Sequence, residues 1–355
     1  MSVIKLPLND TKQDIRKFLE SELIEWCTSI GEKAFRGKQI YEWLWKKSAT
    51  SFEEMTNLSK PLRTSLEDQF CFNPIILDKQ QQSSDGTIKF RFRLTDGHLI
   101  ESVLIPVQRQ NRFTVCVSTQ VGCSLTCSFC ATGKMKRMRN LDAAEIYDQV
   151  IAVNKQSHEV CGHRVTNIVY MGMGEPLLNY QNTLRSIELI TSSKGLDWSP
   201  SRITVSTAGI AKMIRKLADD QVKFNLAISL HAANDEKRNT IMPINETNNL
   251  AVLIEALRYF NHHVKGQISY EYIAFKGFND QRKDATELIK LCSYFPVKVN
   301  IIEYNPIGDG QFEKSDPIDI DQFANILDKN GVRVTIRRSR GKDIDAACGQ
   351  LANKD

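Results

Sequence analysis

Apolar residues recur at spacings of three and four over two segments near the start of the chain. These segments, residues 14–30 and 33–47, are therefore predicted to form amphipathic helices. From Gln82 to Val117 apolar and polar residues alternate instead, which predicts a β-hairpin that turns at Asp96 and Gly97. The chain is thus expected to open with a small helical module followed by a hairpin.

Seven strand-like runs follow, and helical patterns lie between them. The predicted strands are residues 113–118, 165–172, 202–207, 224–230, 268–275, 297–304 and 332–337. Alternation of strands with helices indicates an α/β fold whose parallel sheet carries helices on its outside. Six or more such units over about 220 residues predict a full or partial (βα) barrel.

This organisation predicts four regions along the chain. They are an N-terminal helical accessory domain (1–80), a β-hairpin linker (81–112), the barrel (113–340) and a short C-terminal segment (341–355).

Composition restricts the class of protein further. Hydrophobic residues make up 41% of the chain and charged residues 25%, which is ordinary for a soluble globular protein. No apolar run approaches the roughly 18 residues of a membrane span, and the first residues lack the apolar core of a secretion signal. We therefore expect a cytoplasmic protein whose nine cysteines do not form a disulfide framework.

The net charge of +5 is small, but the basic residues are clustered. The clusters are residues 33–47, which interleave aromatic side chains with cations, and residues 134–139 and 337–342. Such patches suit a phosphate backbone with stacked bases, and they are equally compatible with solvated surfaces.

Three cysteines, Cys123, Cys127 and Cys130, follow the first barrel strand with the spacing C-x3-C-x2-C. Thiolates bind soft metals, and cysteines this close on a loop can converge on one cluster. A four-iron cluster held by three cysteines leaves one iron open for a substrate group. Zinc with a remote histidine and a redox-active thiol loop are the alternatives, and the spacing favours iron–sulfur.

Other unusual residues also lie at predicted strand ends, where barrels gather their chemistry. Glu175 follows two glycines in GMGEPLLN, while Ser206, Ser229 and His231 end the next two strands. Taken alone, the first motif is also compatible with a tight turn, and the hydroxyls with helix caps.

The cysteine spacing, with an aromatic residue before the last cysteine, resembles the radical S-adenosylmethionine (SAM) superfamily. More specifically, the chain resembles the RlmN/Cfr family of ribosomal RNA adenine methyltransferases from about residue 33 to residue 352. The motifs that carry this resemblance are TVCVSTQVGCSLTCSFCATG, GMGEPLLN, VSTAGI, ISLHA, YNP and SRGKDIDAACGQL. The segment FRGKQIYEWLW also resembles the family's accessory RNA-binding domain.

The resemblance implies a radical SAM barrel that holds a [4Fe-4S] cluster on Cys123, Cys127 and Cys130. It also implies two molecules of S-adenosyl-L-methionine per turnover. The residues implied to contact this cofactor are Glu175, Pro176, Ser206, Ser229, Leu230, His231 and Asn305.

The resemblance further implies a covalent route to methylated adenine. Cys348 would take a methyl group from one SAM, and a deoxyadenosyl radical from the second would remove a hydrogen from that methyl. The resulting methylene radical would add to the adenine ring, and Cys116 would release the product by forming a disulfide with Cys348. Glu101 occupies the position of the proton acceptor, provided that the two extra residues before Cys116 lie within VQRQNR.

The implied substrates are 23S rRNA, at adenosine 2503, and tRNA, at adenosine 37, both methylated at C2. Methylation at C8 of the same rRNA adenosine and a zinc-stabilised RNA-binding protein are the alternatives that remain open. The expected partners are these RNAs and an electron donor such as flavodoxin or ferredoxin. We expect no membrane association and a monomeric protein.

Overall fold

The structure is a computed structural model in which residues 12–308 and 310–354 are described. Residues 1–11, which belong to the predicted accessory domain, lie outside the described residues, as do residues 309 and 355. None of the helices in the described part of the chain is apolar over a length that would cross a membrane.

The N-terminal region forms three short helices, and the spacing of apolar residues predicts the first two of them. They are α1 (Glu20–Ser29), α2 (Phe35–Trp45) and α3 (Lys60–Gln69). The start of α3 is fixed locally, because the Ser59 hydroxyl accepts from the Leu62 N–H and Pro61 occupies the first turn. A two-residue parallel pairing of Gln13–Asp14 with Phe70–Cys71 joins the two ends of this module.

The expected hairpin is confirmed, and a third strand extends it. Strands β1 (Ile76–Gln82), β2 (Ile88–Arg93) and β3 (Leu99–Val107) are antiparallel. The turn between β2 and β3 contains Gly97 in a left-handed conformation, and the Asp96 carboxylate accepts from the His98 N–H. Strand β1 begins six residues before the predicted segment. It was not predicted, because its mostly polar residues show no clear alternation.

Seven parallel strands continue the same sheet, in the order of the sequence. They are β4 (Arg112–Cys116), β5 (Asn167–Tyr170), β6 (Ile203–Thr207), β7 (Asn225–Ser229), β8 (Ile268–Ala274), β9 (Lys298–Glu303) and β10 (Arg333–Arg337). The helices between them are α4 (Ala143–Cys161), α5 (Tyr180–Thr191), α6 (Ala211–Asp219), α7 (Asp235–Ile241), α8 (Leu250–His263), α9 (Arg282–Cys292) and α10 (Pro317–Lys329). Of these seven helices, α7 alone was not predicted.

The two faces of the parallel strands differ in polarity. One face, the outer face, is apolar and packs into the core; it includes Val115, Ile168, Tyr170, Val205, Leu226, Ile228, Tyr270, Val299 and Ile301. The opposite face, the inner face, is mostly polar; it includes Asn167, Thr204, Ser206, Asn225, Ser229, Ser269, Glu271, Lys298, Asn300 and Thr335. Parallel strands buried on both faces are usually apolar throughout, so this alternation indicates a polar interior.

The sheet curves around this inner face. Arg112 on β4 and Arg337 on β10 belong to the first and last parallel strands, yet they interact. Desolvation and the charge of Arg337 lower the pKa of Arg112. The barrel is partial, because β10 is an edge strand and β4 pairs with β3 of the hairpin instead. The α/β barrel prediction is therefore confirmed, whereas the boundaries at residues 80, 112 and 340 stay predictions.

A buried arginine docks the N-terminal module onto the barrel. The Arg16 guanidinium lies 2.8 and 2.7 Å from the two carboxylate oxygens of Asp148 on α4, and 2.9 Å from Asp14. Nearby, Trp45 packs edge-on against Tyr147, whose hydroxyl donates to the Trp45 carbonyl. Removing one partner of such a buried pair leaves the other charge without compensation.

We expect Arg16→Met to lower the free energy of unfolding by about 3–5 kcal/mol, because Asp14 and Asp148 would stay buried without their cation. Arg215→Met is the control, since Arg215 pairs with Glu255 on the surface and should cost no more than about 1 kcal/mol. Urea unfolding measures both. Equal losses in the two variants would contradict the docking role of Arg16.

Candidate cofactor and catalytic site

The three cysteines lie on the loop that leaves β4 at the carboxyl end of the sheet. The backbone N–H groups of Leu125 and Ser124 oppose the rise that burial causes in the pKa of Cys123. The N–H groups of Thr132 and Gly133 do the same for Cys130, in addition to the Thr132 hydroxyl. Donors aimed at sulfur stabilise thiolates and are typical of iron–sulfur loops.

Without a metal, the three thiols are electrostatically coupled. Burial, with smaller contributions from the charges of Cys130 and Glu175, raises the pKa of Cys123 to about 11. Burial also raises the pKa of Cys127, and the charges of Cys130 and Cys123 add to this shift. Three half-buried thiols with raised pKa values suit a cationic metal centre, which would stabilise all three thiolates at once.

Contacts from two distant parts of the chain hold this loop. Ser128 donates its N–H to the carbonyl of Ile241 at the end of α7, at 3.1 Å. On the other side, the Ala131 N–H donates to the Gly349 carbonyl at 2.7 Å, and the Thr132 hydroxyl donates to the Leu351 carbonyl at 2.6 Å. The loop is therefore enclosed between α7 and the C-terminal segment.

The donor set fits an iron–sulfur cluster. Among residues 12–308 and 310–354, no group of three or more His, Cys, Asp or Glu side chains is placed so that it could hold a single metal ion. Soft thiolates and sulfur-directed N–H donors nevertheless match the ligands that multinuclear iron–sulfur centres use. Cys123, Cys127 and Cys130 thus remain the predicted cluster ligands.

Glu175 lies beside this loop, and its carboxylate is almost fully buried. One oxygen accepts from the Leu177 N–H at 3.0 Å and the other from the Ala208 N–H at 2.8 Å. Burial raises the pKa of Glu175 to about 7, although these donors oppose the shift. Pro176, its predicted companion, begins the short 3-10 turn that Glu175 caps. Each carboxylate oxygen keeps a further lone pair for an ammonium group.

The remaining predicted cofactor contacts lie on neighbouring strand ends. The hydroxyls of Ser206 on β6 and Ser229 on β7 face each other at 3.4 Å. Leu230 and His231 follow directly, and His231 adopts a left-handed backbone conformation with φ of 56°.

His231 is held as a neutral ring. Its Nδ1 accepts from the Ile273 N–H at 3.1 Å, and Phe129 of the cysteine loop packs edge-on against the ring. Burial and the charge of Arg238 lower the pKa of His231 to about 3. The ring therefore carries its proton on Nε2 at neutral pH.

The two additional cysteines face the same interior. Cys116 ends β4 and is buried, and burial and the charge of Cys348 raise its pKa to about 12. Cys348 is an exposed residue, but desolvation of its sulfur by the surrounding protein raises the pKa of the thiol. Asn305 links this region to β9, because its amide donates to the carbonyls of Glu303 and Cys348. Both cysteines are free thiols here.

Glu101 lies on β3, and Val103, two residues further along this strand, pairs with Cys116. A short 3-10 turn at Gln108–Gln110 connects β3 with β4, within the segment where the extra residues were expected. The Glu101 carboxylate accepts from the N–H groups of Ala352 and Asn353 and lies 3.5 Å from the Lys89 ammonium. In this conformation Glu101 therefore holds the segment that carries Cys348.

Arg238 on α7 is a buried cation that was not predicted. Its guanidinium donates to the carbonyls of Leu230, Ala208 and Ser229 at the ends of the strands. An arginine among charged residues in NDEKRNTI reads as a solvated helix face, so no local signal marks it. Gln120 was also missed; its side-chain oxygen accepts from the Glu175 N–H.

The partial barrel and its three-thiol loop define a radical SAM enzyme, and residues 117–289 match the model described as Radical SAM superfamily. Residues 13–72 match the Ribosomal RNA large subunit methyltransferase N-terminal domain. The chain is 57% identical to "Probable dual-specificity RNA methyltransferase RlmN" of Cytophaga hutchinsonii, over 97% of this chain and 94% of that relative. It therefore belongs to the RlmN family.

Further relatives agree with this assignment. "Dual-specificity RNA methyltransferase RlmN" of Campylobacter curvus is 43% identical, with 96% of this chain and 94% of the relative covered. The crystal structure of a radical SAM methyltransferase from Sphaerobacter thermophilus superposes with a TM-score of 0.90 at 38% identity. The match covers 96% of this chain and 100% of that one. The expected family is thus confirmed, whereas the roles of individual site residues stay predictions.

We expect His231→Asn to make the stability of the cluster-free protein fall as pH rises from 4.5 to 6.5, because the opposing contribution of Glu175 remains. In the wild type, the folded state resists protonating His231, so stability is lost as pH falls from about 6.5 toward 3. This loss amounts to about 3 kcal/mol by pH 4.5. Asparagine tolerates the left-handed backbone and offers an oxygen to the Ile273 N–H, but it does not titrate.

Glu175→Gln is the opposing variant. Since the folded pKa of Glu175 is about 7 and its ordinary value is 4.5, its contribution falls as pH rises through this window. The histidine variant should therefore lose stability as pH rises, and the glutamine variant should gain it. Urea unfolding at pH 4.5, 5.5 and 6.5 measures the slopes, and slopes of the same sign in both variants would contradict the assignment.

Proposed function

We propose that the protein methylates C2 of adenosine in 23S rRNA and in tRNA, using Cys348 as the methyl carrier. The observation that carries this proposal is the pair of thiols outside the cysteine loop. Cys116 ends β4 and Cys348 lies near the C-terminus, yet the charge of Cys348 contributes to the raised pKa of Cys116. The name of the relatives, dual-specificity RNA methyltransferase, supports two RNA substrates.

The environments of the two thiols fit successive roles. Cys348 is exposed, so a methyl donor and then an adenine ring can reach it. Cys116 is buried with a pKa of about 12, which keeps it protonated and unreactive while the carrier is loaded. When bound, the cluster and S-adenosyl-L-methionine would supply the methyl group and the radical chemistry.

The residues around the thiol loop fit a bound cofactor. Glu175 offers carboxylate lone pairs for an ammonium group, and the hydroxyls of Ser206 and Ser229 offer hydrogen bonds at the adjacent strand ends. Leu230, His231 and Asn305 complete the proposed contacts, and Cys123, Cys127 and Cys130 are the proposed cluster ligands.

Glu101 is the proposed proton acceptor, and its hydrogen bonds also position the C-terminal segment. Because its carboxylate binds the backbone of Ala352 and Asn353, it also fixes the distance of the Cys348 segment from β3. Accepting a proton at a carboxylate oxygen would weaken these bonds and release the segment.

The basic clusters differ in their availability for RNA. In residues 337–342 the cations bind acids: Arg338 and Lys342 pair with Glu303, whose pKa they lower to about 2 despite its burial. In the stretch 134–139, by contrast, Lys136 and Arg137 are exposed beside the cysteine loop. We assign phosphate contacts to this stretch.

The accessory domain is part of the proposed RNA surface, but fewer of its aromatic side chains are available than its sequence suggested. Tyr41 and Trp45 are buried, so they are not available for stacking on bases. Phe35 remains exposed with Arg36 over its ring, and Lys47 lies over Trp43. The proposal also includes a cytoplasmic location, a monomeric state and an electron donor such as flavodoxin or ferredoxin.

We expect Cys348→Ala to abolish methylation while the protein retains its cluster. Alanine removes the methyl carrier but leaves the backbone bond between Gly349 and Ala131 in place. Mass spectrometry of nucleosides from rRNA and tRNA, with iron and sulfide analysis of the same samples, measures both properties. Retained 2-methyladenosine would refute the carrier, and 8-methyladenosine without 2-methyladenosine in the wild type would refute the proposed position.

We expect Lys136→Glu to weaken RNA binding and to reduce its dependence on salt. Loss of one phosphate contact should lower the slope of log affinity against log salt by about 0.7–0.9. Lys290→Glu, on the outer helix α9, is the matched control and should leave the slope unchanged. Binding of a substrate RNA fragment at several salt concentrations decides this, and equal slopes in both variants would contradict the assignment.

A further inference from the structure

Arg238 is a buried cation at the carboxyl ends of the strands. It is fully buried on α7 and donates to the Ala208 carbonyl at 2.7 Å, to Leu230 at 3.1 Å and to Ser229 at 3.3 Å. The side-chain oxygen of Asn245 accepts another N–H. Every acceptor is a neutral oxygen.

The charge of Arg238 is therefore not compensated by its hydrogen-bond partners. Within residues 12–308 and 310–354, no carboxylate forms an ion pair with it. Arg16, which is also buried, is bound by two carboxylates, and burial there is outweighed so that its pKa is raised. For Arg238 burial dominates and lowers the pKa to about 10. An uncompensated buried cation destabilises the folded protein.

The cysteine loop lies against the helix that carries this cation. Ser128, next to Cys127, donates its N–H to the Ile241 carbonyl on α7 at 3.1 Å. Phe129, Ala208 and Ile241 share one small apolar cluster, against which Cys127 packs. Among the charges that favour the Arg238 cation, Cys127 contributes most and Asp235 follows.

The proposed cluster would supply the missing anion. A cubane of charge 2+ bound by three thiolates has a net charge of about −1, and one-electron reduction makes it about −2. A cation held beside the cluster in a low dielectric stabilises the reduced form more than the oxidised form. This step rests on the proposed cluster on Cys123, Cys127 and Cys130.

We propose that Arg238 is the counter-charge of the iron–sulfur cluster and raises its reduction potential. It is a positioning residue, since its hydrogen bonds tie α7 to the carbonyls that end β6 and β7. In the redox step, an external one-electron reductant such as dithionite gives one electron to the cluster. Arg238 neither gains nor loses a proton.

The test is a redox titration of the reconstituted full chain, followed by electron paramagnetic resonance of the reduced cluster. We expect Arg238→Gln to lower the ratio of reduced to oxidised cluster at a fixed potential at least tenfold, which is about 59 mV for one electron. Arg238→Lys keeps the charge and should change this ratio less than threefold. Arg215→Gln, on the exposed face of α6, should leave it unchanged.

A wild-type ratio in Arg238→Gln would overturn the proposal and leave Arg238 a purely structural residue. If the glutamine variant does not assemble a cluster, Arg238→Lys decides: a ratio near that of the wild type supports the counter-charge, and a tenfold fall refutes it. A wild-type protein that is colourless and contains zinc would instead refute the proposed cluster itself. The two failures are therefore distinguishable.

Discussion

The close approach of the loops after β4 and β5 is the constraint on which the site depends. A Cβ on Gly172 would lie 2.7 Å from the Ser118 hydroxyl, and one on Gly174 would lie 2.5 Å from the Cβ of Gln120. The Ser118 hydroxyl occupies the space between, where it accepts from the Met173 N–H and donates to the Glu101 carbonyl. One buried hydroxyl thus sets the relative positions of β3, the cysteine loop and the turn that presents Glu175.

The polarity of the strand faces explains why most of the fold can be predicted from sequence. Each parallel strand alternates residues such as Val205 and Ser206, so the apolar face identifies the strand and the polar face identifies the interior. Helices α4–α6 and α8–α10 carry apolar residues at helical spacing, which makes them visible in the same way. Helix α7 has only seven residues, with charged residues at its start, so no apolar stripe reveals it.

The parts of the site that could not be predicted depend on contacts between distant residues. The partners of Glu101 are Ala352 and Asn353, more than 250 positions away, and nothing in the local sequence specifies them. Likewise, Arg238 and Arg338 both lie in charged stretches, yet one is buried against carbonyls and the other pairs with acids. Only tertiary packing decides whether a cation is buried, paired with acids or free for RNA.

The same packing gives the C-terminal segment its combination of exposure and order. Cys348 is exposed, but its neighbours are fixed on three sides: Gly349 by the cysteine loop, Ala352 by Glu101, and Asp343 by the Ser83 hydroxyl of the hairpin. The carrier role proposed for Cys348 requires a thiol that is open to its reactants and still returns to one position relative to the cofactor. Anchoring the chain on both sides of an exposed thiol satisfies both requirements, because the side chain stays accessible while hydrogen bonds fix the position of the backbone around it.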